Sequence, residues 1–246
     1  MVMMQDLERR IAAAVRYFWQ TRTRQRKHQG TRTGRRDYGN RTAATGGKQL
    51  DRFSELVADL LVERGLPESA IFRNGREDLT LPGFFRPTKQ WDLIVVAGDS
   101  LLAAVEFKSL CGPSFGNNYN NRVEEAVGNS TDLWTAYREG AFQTSPRPFL
   151  GYLMLLEEGE ASTRPVAVHE KHFQVFKDYR DASYANRCEE SVRRLMRERC
   201  YDAACLLLSS KAAGARGRYI QPARDLAFEH FAKLLCNHVL GAHGAL

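Results

Sequence analysis

The sequence predicts a mixed α/β protein in which a central β-sheet is flanked by helices. Trp91–Ala97 and Leu101–Ser109 are apolar stretches of strand length, and the short Gly98–Ser100 segment between them predicts a β-hairpin. A helical stretch, Asn120–Arg138, then leads to another apolar strand, Pro148–Leu156. A hairpin followed by a crossover helix and a parallel strand predicts a sheet with both antiparallel and parallel pairs.

The other elements are predicted mainly from helical spacing. Apolar residues from Leu7 to Phe18 indicate a first helix, and a second helix is expected from about Leu50 to Arg64, before Gly65. Later elements are two helices, a strand and a closing helix, at Glu170–Ala182, Tyr184–Tyr201, Ala203–Leu208 and after Pro222. We expect residues 1–246 to form a single domain.

Composition excludes several classes of protein. No apolar run approaches the roughly 18 residues of a membrane helix, and the charged N-terminal residues argue against secretion, so the expected location is the cytoplasm. Five scattered cysteines without a CxxC pair argue against a disulfide framework and a zinc knuckle. His169 and His172 are three positions apart, a spacing that would place them on one face of a helix, but no third ligand is evident nearby, so a surface or packing role is expected.

The positive charge is concentrated at the N-terminus. Residues 1–48 contain 12 lysines and arginines and three acids, whereas residues 49–246 contain 24 lysines and arginines and 26 acids. The first helix therefore continues into a basic arm that suits phosphate contacts. Taken alone, the arm fits a solvated tail equally well. Its main basic residues are Arg22, Arg24, Arg26, Lys27, Arg32, Arg35, Arg36 and Arg41.

Three charged residues in the predicted hairpin are the candidate catalytic residues. Glu106 and Lys108 are two positions apart, so they project from the same face of the strand. With a three-residue loop at Gly98–Ser100, Asp92 lies opposite Glu106, with Cβ atoms about 4.5 to 5.5 Å apart. A two-residue loop would instead set Asp92 opposite Val105. The first register predicts that two carboxylates and one amine converge.

This constellation fits phosphodiester hydrolysis. Two carboxylates about 4 Å apart repel by roughly 4 kcal/mol at an effective dielectric near 20, and Mg²⁺ would relieve that repulsion. The metal ligands expected are Asp92, Glu106 and the backbone carbonyl of Phe107, while Lys108 orients or deprotonates water or neutralises the phosphorane. A solvated Glu-x-Lys ion pair is the alternative, but both strands are otherwise almost wholly apolar.

An asparagine-rich segment follows the second strand of the hairpin. Its amides and guanidinium are of the types that read adenine and guanine edges, although a turn that caps the following helix is the alternative. The residues assigned to base reading are Asn117, Asn118, Asn120, Asn121 and Arg122. The further DNA contacts assigned are Lys48, Arg32, Arg35 and Arg36.

These residues resemble the PD-(D/E)XK nucleases, in which Asp92, Glu106 and Lys108 would be the three motif positions. Trp91 stands where that motif has a proline. More specifically, the chain is similar to the type II restriction endonucleases of the XhoI group. The stretches that carry this similarity are Tyr17–Trp19, Thr45–Asp51, Lys89–Asp92, Val105–Ser109, Gly112–Asn118 and Asn120–Arg122 through to Glu124.

The resemblance implies a single nuclease domain with a PD-(D/E)XK core and a homodimer that cuts both strands of the palindrome CTCGAG with magnesium. The products would carry 5′-phosphate and 3′-hydroxyl ends, and a separate methyltransferase would be the genetic partner. An acid from the second helix often completes such metal sites; Asp51 and Glu55 are candidates here, and simple surface acids are the alternative. Rival functions are a DNA repair or junction-resolving nuclease and a non-catalytic DNA-binding protein.

Overall fold

The computed structural model describes residues 2–33, 47–73 and 79–245. Its strands are β1 (Ile71–Arg73), β2 (Thr80–Pro82), β3 (Thr88–Gln90), β4 (Leu93–Ala97), β5 (Ser100–Leu110), β6 (Phe149–Glu157) and β7 (Ala203–Ser209). Its α-helices are α1 (Val2–Thr33), α2 (Asp51–Val62), α3 (Phe115–Arg138), α4 (Glu160–Thr163), α5 (Tyr184–Arg197), α6 (Lys211–Gly214) and α7 (Phe228–His243). Among the described residues, no helix combines the length and apolarity that crossing a membrane requires.

Five of the strands form one mixed sheet in the order β1-β4-β5-β6-β7, and β2 and β3 form a separate antiparallel pair. The pairs β1–β4 and β4–β5 are antiparallel, whereas the pairs β5–β6 and β6–β7 are parallel. The helix α3 makes the crossover from β5 to β6, as predicted. The mixed α/β fold expected from the sequence is therefore confirmed.

Helices cover both faces of the sheet. One face packs against α1, α2 and α7, and the other packs against α3 and α5. Successive strand residues alternate between the two cores: Val105 faces α2 and α7, while Ala104 faces α3 and α5. Because both faces are buried, the strands are almost continuously apolar. A charged residue in the middle of such a strand is therefore exceptional.

The hairpin of β4 and β5 differs from the predicted geometry. The turn contains two residues, Gly98 and Asp99, because Ala97 pairs with Ser100. A β-bulge follows, in which Leu102 is the extra residue, so that Leu93 pairs with Val105. The predicted three-residue loop is wrong, but the bulge restores the register that the loop was expected to give. Extending this ladder by one residue sets Asp92 opposite Glu106.

Two predictions about helices need correction. The 170–182 segment contains only a short 3-10 helix, Lys177–Tyr179, because its apolar residues Phe173 and Phe176 are exposed and supply no buried stripe. Helix α3 begins at Phe115 instead of Asn120, since the buried Phe115 ring stacks on Tyr184 at 5.9 Å. The asparagine-rich segment is therefore the start of a helix.

The first helix is longer than its apolar spacing predicted. It runs through Thr33, so the basic residues from Arg22 to Lys27 lie within it. Arg32 is part of the helical backbone, and its side chain is not described; Arg35 and Arg36 lie outside the described residues. The helix is fastened to the sheet by the buried Trp19, whose Nε1 donates a hydrogen bond to Ser209 Oγ at 3.1 Å.

Candidate active site

Glu106 lies at the centre of the candidate site, on the face of β5 that is covered by α3 and α5. It is only 1% exposed. Its Oε1 lies 2.8 Å from Lys108 Nζ, which confirms that the two side chains share a face. Asn129 Nδ2, from α3, donates to both carboxylate oxygens at 2.8 and 3.0 Å, and the Tyr201 hydroxyl lies 3.0 Å from Oε2. The carboxylate is thus fixed by partners from three segments: β5, α3 and the loop before β7.

A second lysine also contacts Glu106. Lys89 Nζ, from β3, lies 3.4 Å from Oε1 and 4.2 Å from the centre of the Trp91 ring. Burial alone raises the pKa of Glu106, but the charges of Lys108 and Lys89 and the surrounding hydrogen bonds lower it to about 2. The carboxylate is therefore ionised at neutral pH although it is buried.

The two lysines respond differently to the same carboxylate. Burial lowers the pKa of Lys89, and the attraction of Glu106 does not fully offset this. Burial also acts to lower the pKa of Lys108, but Glu106 and Glu125 outweigh it, so that the pKa is raised. Lys108 Nζ lies 3.4 Å from Glu125 as well. Lys108 therefore has the higher pKa of the two lysines and stays protonated to a higher pH.

Asp92 completes the predicted trio. Its Oδ2 accepts a hydrogen bond from the backbone N–H of Phe107 at 2.7 Å, which ties the loop before β4 to β5. Burial raises the pKa of Asp92; the Phe107 hydrogen bond opposes this, and the charge of Glu106 raises the pKa further. The structure therefore brings Asp92, Glu106 and Lys108 together, as the sequence predicted. Their catalytic roles stay predictions, as does the carbonyl of Phe107 as a ligand.

The structure distinguishes between the two candidate acids of α2. Burial raises the pKa of Asp51, and the charges of Glu55 and Asp92 add to this effect, while Lys48 opposes it. Asp51 Oδ1 is buried and has no hydrogen-bond partner in the part of the chain that the structure describes. Glu55 instead pairs with Arg52 on the same helix. Asp51 is therefore within electrostatic reach of the trio, and the exposed Lys48 lies beside it.

The predicted base-reading residues occupy the first turns of α3, next to this site. Asn117 and Asn120 are exposed, whereas Asn118 and Asn121 are partly buried. Asn118 Nδ2 donates to the carbonyl of Cys111 at 3.4 Å. Arg122 pairs with Glu125, the residue that also contacts Lys108. Their role in base reading stays a prediction.

Comparison with known proteins places the chain in a family. The family described as "Restriction endonuclease XhoI" matches residues 29–221, well over half of the sequence. The chain belongs to the XhoI restriction endonuclease family. It is 50% identical over 209 residues to the type II restriction enzyme BstVI of Geobacillus stearothermophilus, covering 83% of this chain and 92% of BstVI. No solved structure matches the chain.

Two further relatives are also named type II restriction enzymes. The chain is 49% identical over 169 residues to the type II restriction enzyme AbrI of Azospirillum brasilense, covering 69% of this chain and 75% of AbrI. It is 42% identical over 191 residues to the type II restriction enzyme XhoI of Xanthomonas vasicola, covering 78% and 76%. Membership of the XhoI family confirms the prediction of an endonuclease, a hydrolase of a restriction system.

Type II restriction endonucleases generally need divalent metal ions. Within the described ranges, no three His, Cys, Asp or Glu side chains form a ready-made metal cluster. The donors nevertheless suit a hard cation: the charge of Glu106 raises the pKa of the buried Asp92, and Asp51 has a buried oxygen with no hydrogen-bond partner among the described residues. The residues of this XhoI-family site therefore fit a divalent metal.

Sequence reasoning missed three residues of the site: Lys89, Asn129 and Tyr201. Asn129 lies on the buried stripe of α3 between Ala126 and Leu133, so a polar residue on an apolar helix face was the available signal. Lys89 is within a stretch already similar to the XhoI group, but nothing local linked it to Glu106. Tyr201 is 95 positions from Glu106, and no local pattern connects them.

Proposed function

We propose that this protein is a type II restriction endonuclease that hydrolyses phosphodiester bonds of double-stranded DNA at a short palindrome. The observation that carries the proposal is the buried Glu106 carboxylate, held between Lys108 and Lys89 beside Asp92. Burying an ionised acid in an apolar strand costs free energy, and such buried charged groups are concentrated at functional sites. Its relatives, which are named type II restriction enzymes, support the same activity.

Asp92, Glu106 and Lys108 are the proposed catalytic residues, in a PD-(D/E)XK core. Asp92, Glu106 and the carbonyl of Phe107 would hold Mg²⁺, with Asp51 as a further ligand. Bound Mg²⁺ supplies positive charge for the scissile phosphate and lowers the pKa of an attacking water. Lys108 Nζ, fixed at 2.8 Å from Glu106, is positioned to orient that water or to neutralise the phosphorane.

The arrangement on DNA follows from symmetry and from the positions of the polar side chains. A palindrome is best matched by twofold protein symmetry, and each strand needs its own active centre, so the active form is a homodimer. The residues assigned to base reading are Asn117, Asn118, Asn120, Asn121 and Arg122, and those assigned to other DNA contacts are Lys48, Arg32, Arg35 and Arg36. The proposed site is CTCGAG, the ends 5′-phosphate and 3′-hydroxyl, and the genetic partner a methyltransferase.

Plasmid digestion tests this function. Incubation of a mixed-sequence plasmid with the protein and Mg²⁺ should give discrete bands, whose ends map to one short palindrome. Preference for branched or damaged DNA would indicate a repair or junction-resolving nuclease instead. DNA binding without any metal-dependent product would indicate a non-catalytic protein.

Two substitutions test the residue roles. Glu106→Ala and Lys108→Ala should each abolish cleavage while DNA binding persists, because both side chains act on the reacting phosphate and not on base recognition. Asp99→Ala, which removes an exposed acid from the turn between β4 and β5, is the matched control and should cut normally. Retained cutting by either active-site variant would refute the assignment.

A further inference from the structure

The loop between β2 and β3, Gly83–Pro87, presents two aromatic rings to solvent. Phe84 is 50% exposed and Phe85 is 69% exposed. Their rings contact each other edge to face, with centroids 5.0 Å apart. Adjacent exposed aromatic residues of this size are typical of a surface that contacts another molecule.

This loop is held in place by one carboxylate. Asp132, a buried residue of α3, accepts hydrogen bonds at 2.8 Å from the backbone N–H groups of Phe84 and Phe85 and from Arg86 Nε. A Cβ on Gly83 would lie 2.6 Å from Asp132 Oδ2, so the close approach requires glycine at this position. The rings are therefore mounted on a fixed backbone.

Both ends of the loop are also connected to the candidate catalytic carboxylate, one through hydrogen bonds and the other through an ion pair. Arg86 Nη2 donates to Asn129 Oδ1 at 2.6 Å, and the amide nitrogen of Asn129 donates to Glu106. On the other side, the chain continues into β3, where Lys89 contacts Glu106 directly. A groove of about 620 Å³ runs along the loop and α3; Phe85, Arg86 and Glu125 are among the residues that line it, and Glu125 also contacts Lys108. A phosphate bound at Glu106 and Lys108 thus has the aromatic loop as its neighbour.

We propose that Phe84 and Phe85 form a wedge that contacts and unstacks DNA bases beside the scissile phosphate. This inference rests on the proposed function. Phenylalanine is one of the side chains that proteins insert between base steps, and such a wedge needs a rigid mount, which Asp132 provides. Arg86 lies at the foot of the wedge, where its guanidinium pairs with Asp132 at 2.8 Å but remains 43% exposed, so it can also contact a phosphate oxygen.

The test uses 2-aminopurine, a base whose fluorescence increases on unstacking, placed at successive positions of a duplex that contains the cleaved sequence. All proteins carry Lys108→Ala so that the DNA stays intact in Mg²⁺. The parent should increase the fluorescence at a step next to the cut. Phe84→Ala/Phe85→Ala should lose that increase and bind about tenfold more weakly, as expected for lost base stacking. Phe173→Ala removes a ring that is 89% exposed in another loop and should behave like the parent.

The outcomes separate the wedge from the function itself. An unchanged fluorescence signal and affinity in the double variant would overturn the wedge while plasmid cutting by the wild type upholds the nuclease. Dissociation of a DNA-free dimer by the double substitution would also overturn it, because the rings would then belong to a protein interface. A wild-type protein that cuts no DNA would overturn both. Thermal melting should be nearly unchanged, since the rings are largely exposed.

Discussion

Two buried tyrosines lie against each other behind the candidate catalytic carboxylate, and they differ in their hydrogen bonding. The Tyr201 hydroxyl contacts Glu106 Oε2 at 3.0 Å and the carbonyl of Ala126 at 3.2 Å. The Tyr152 hydroxyl is buried and has no hydrogen-bond partner within the described ranges, and the two ring centroids are 5.1 Å apart. Because the rings share one environment, the pair separates the effect of a hydrogen bond to Glu106 from that of packing.

We expect Tyr201→Phe to lower kcat with little change in KM, because Glu106 loses a donor that fixes its orientation. The lost hydrogen bond should also reduce the free energy of unfolding by about 1 to 3 kcal/mol. Tyr152→Phe is the control: it removes a hydroxyl without a partner and should be neutral or stabilising. Steady-state cleavage kinetics and urea denaturation measure the two effects. Equal effects of both substitutions would contradict a positioning role for Tyr201.

The predictability of individual residues depends on how local their contacts are. Glu106 and Lys108 share a strand face because side chains alternate along a strand, so a spacing of two was enough to predict their contact. Asn129 and Tyr201 reach Glu106 from 23 and 95 positions away. Those contacts arise only when α3 and the loop before β7 pack on the sheet, which no local pattern specifies.

Whole helices and strands could be predicted where they are long enough to show a repeating pattern of apolar residues. The helix α2 and the strands β6 and β7 lie close to their predicted ranges, because a continuous buried stripe or run specifies them. Strands β1, β2 and β3 have three residues each, too few to show alternation. In the 170–182 segment, apolar residues at helical spacing are solvent-exposed, so spacing without burial misled the prediction.

The docking of α1 on the sheet depends on a glycine of α6. A Cβ on Gly214 would overlap the indole of Trp19 and the hydroxyl of Ser209, which are hydrogen-bonded to each other. Gly214→Ala should therefore lower the free energy of unfolding by about 1 to 3 kcal/mol through overpacking.

Thermal or urea denaturation measures this loss, and α7 supplies the matched control. A Cβ on Gly241 meets no atom of the described residues within 4 Å, so Gly241→Ala should stabilise the protein by up to about 1 kcal/mol through helix propensity. Gly214→Ala that is as stable as the wild type would show that Trp19 is not tightly packed against α6.

At the scale of the whole molecule, charge is divided between an N-terminal basic segment and a nearly neutral remainder. If Arg32, Arg35 and Arg36 contact phosphates, replacing all three by alanine should weaken DNA binding and make the slope of log K against log salt shallower by about 3, since each phosphate contact contributes roughly 0.9.

Fluorescence anisotropy between about 50 and 200 mM salt gives this slope. Arg138→Ala/Arg197→Ala/Lys233→Ala removes the same charge from exposed positions on three other helices and should leave the slope nearly unchanged. Equal slopes for the two triple variants would mean that net charge, and not the N-terminal segment, attracts DNA.

The bulge at Leu102 has a practical consequence for engineering. It lies between the exposed turn at Gly98–Asp99 and the chemically active end of the hairpin, and the strand pairing realigns before Asp92 is reached. A fluorophore or a surface tether attached at Asp99 should therefore leave the carboxylates undisturbed, because the bulge separates the attachment point from them.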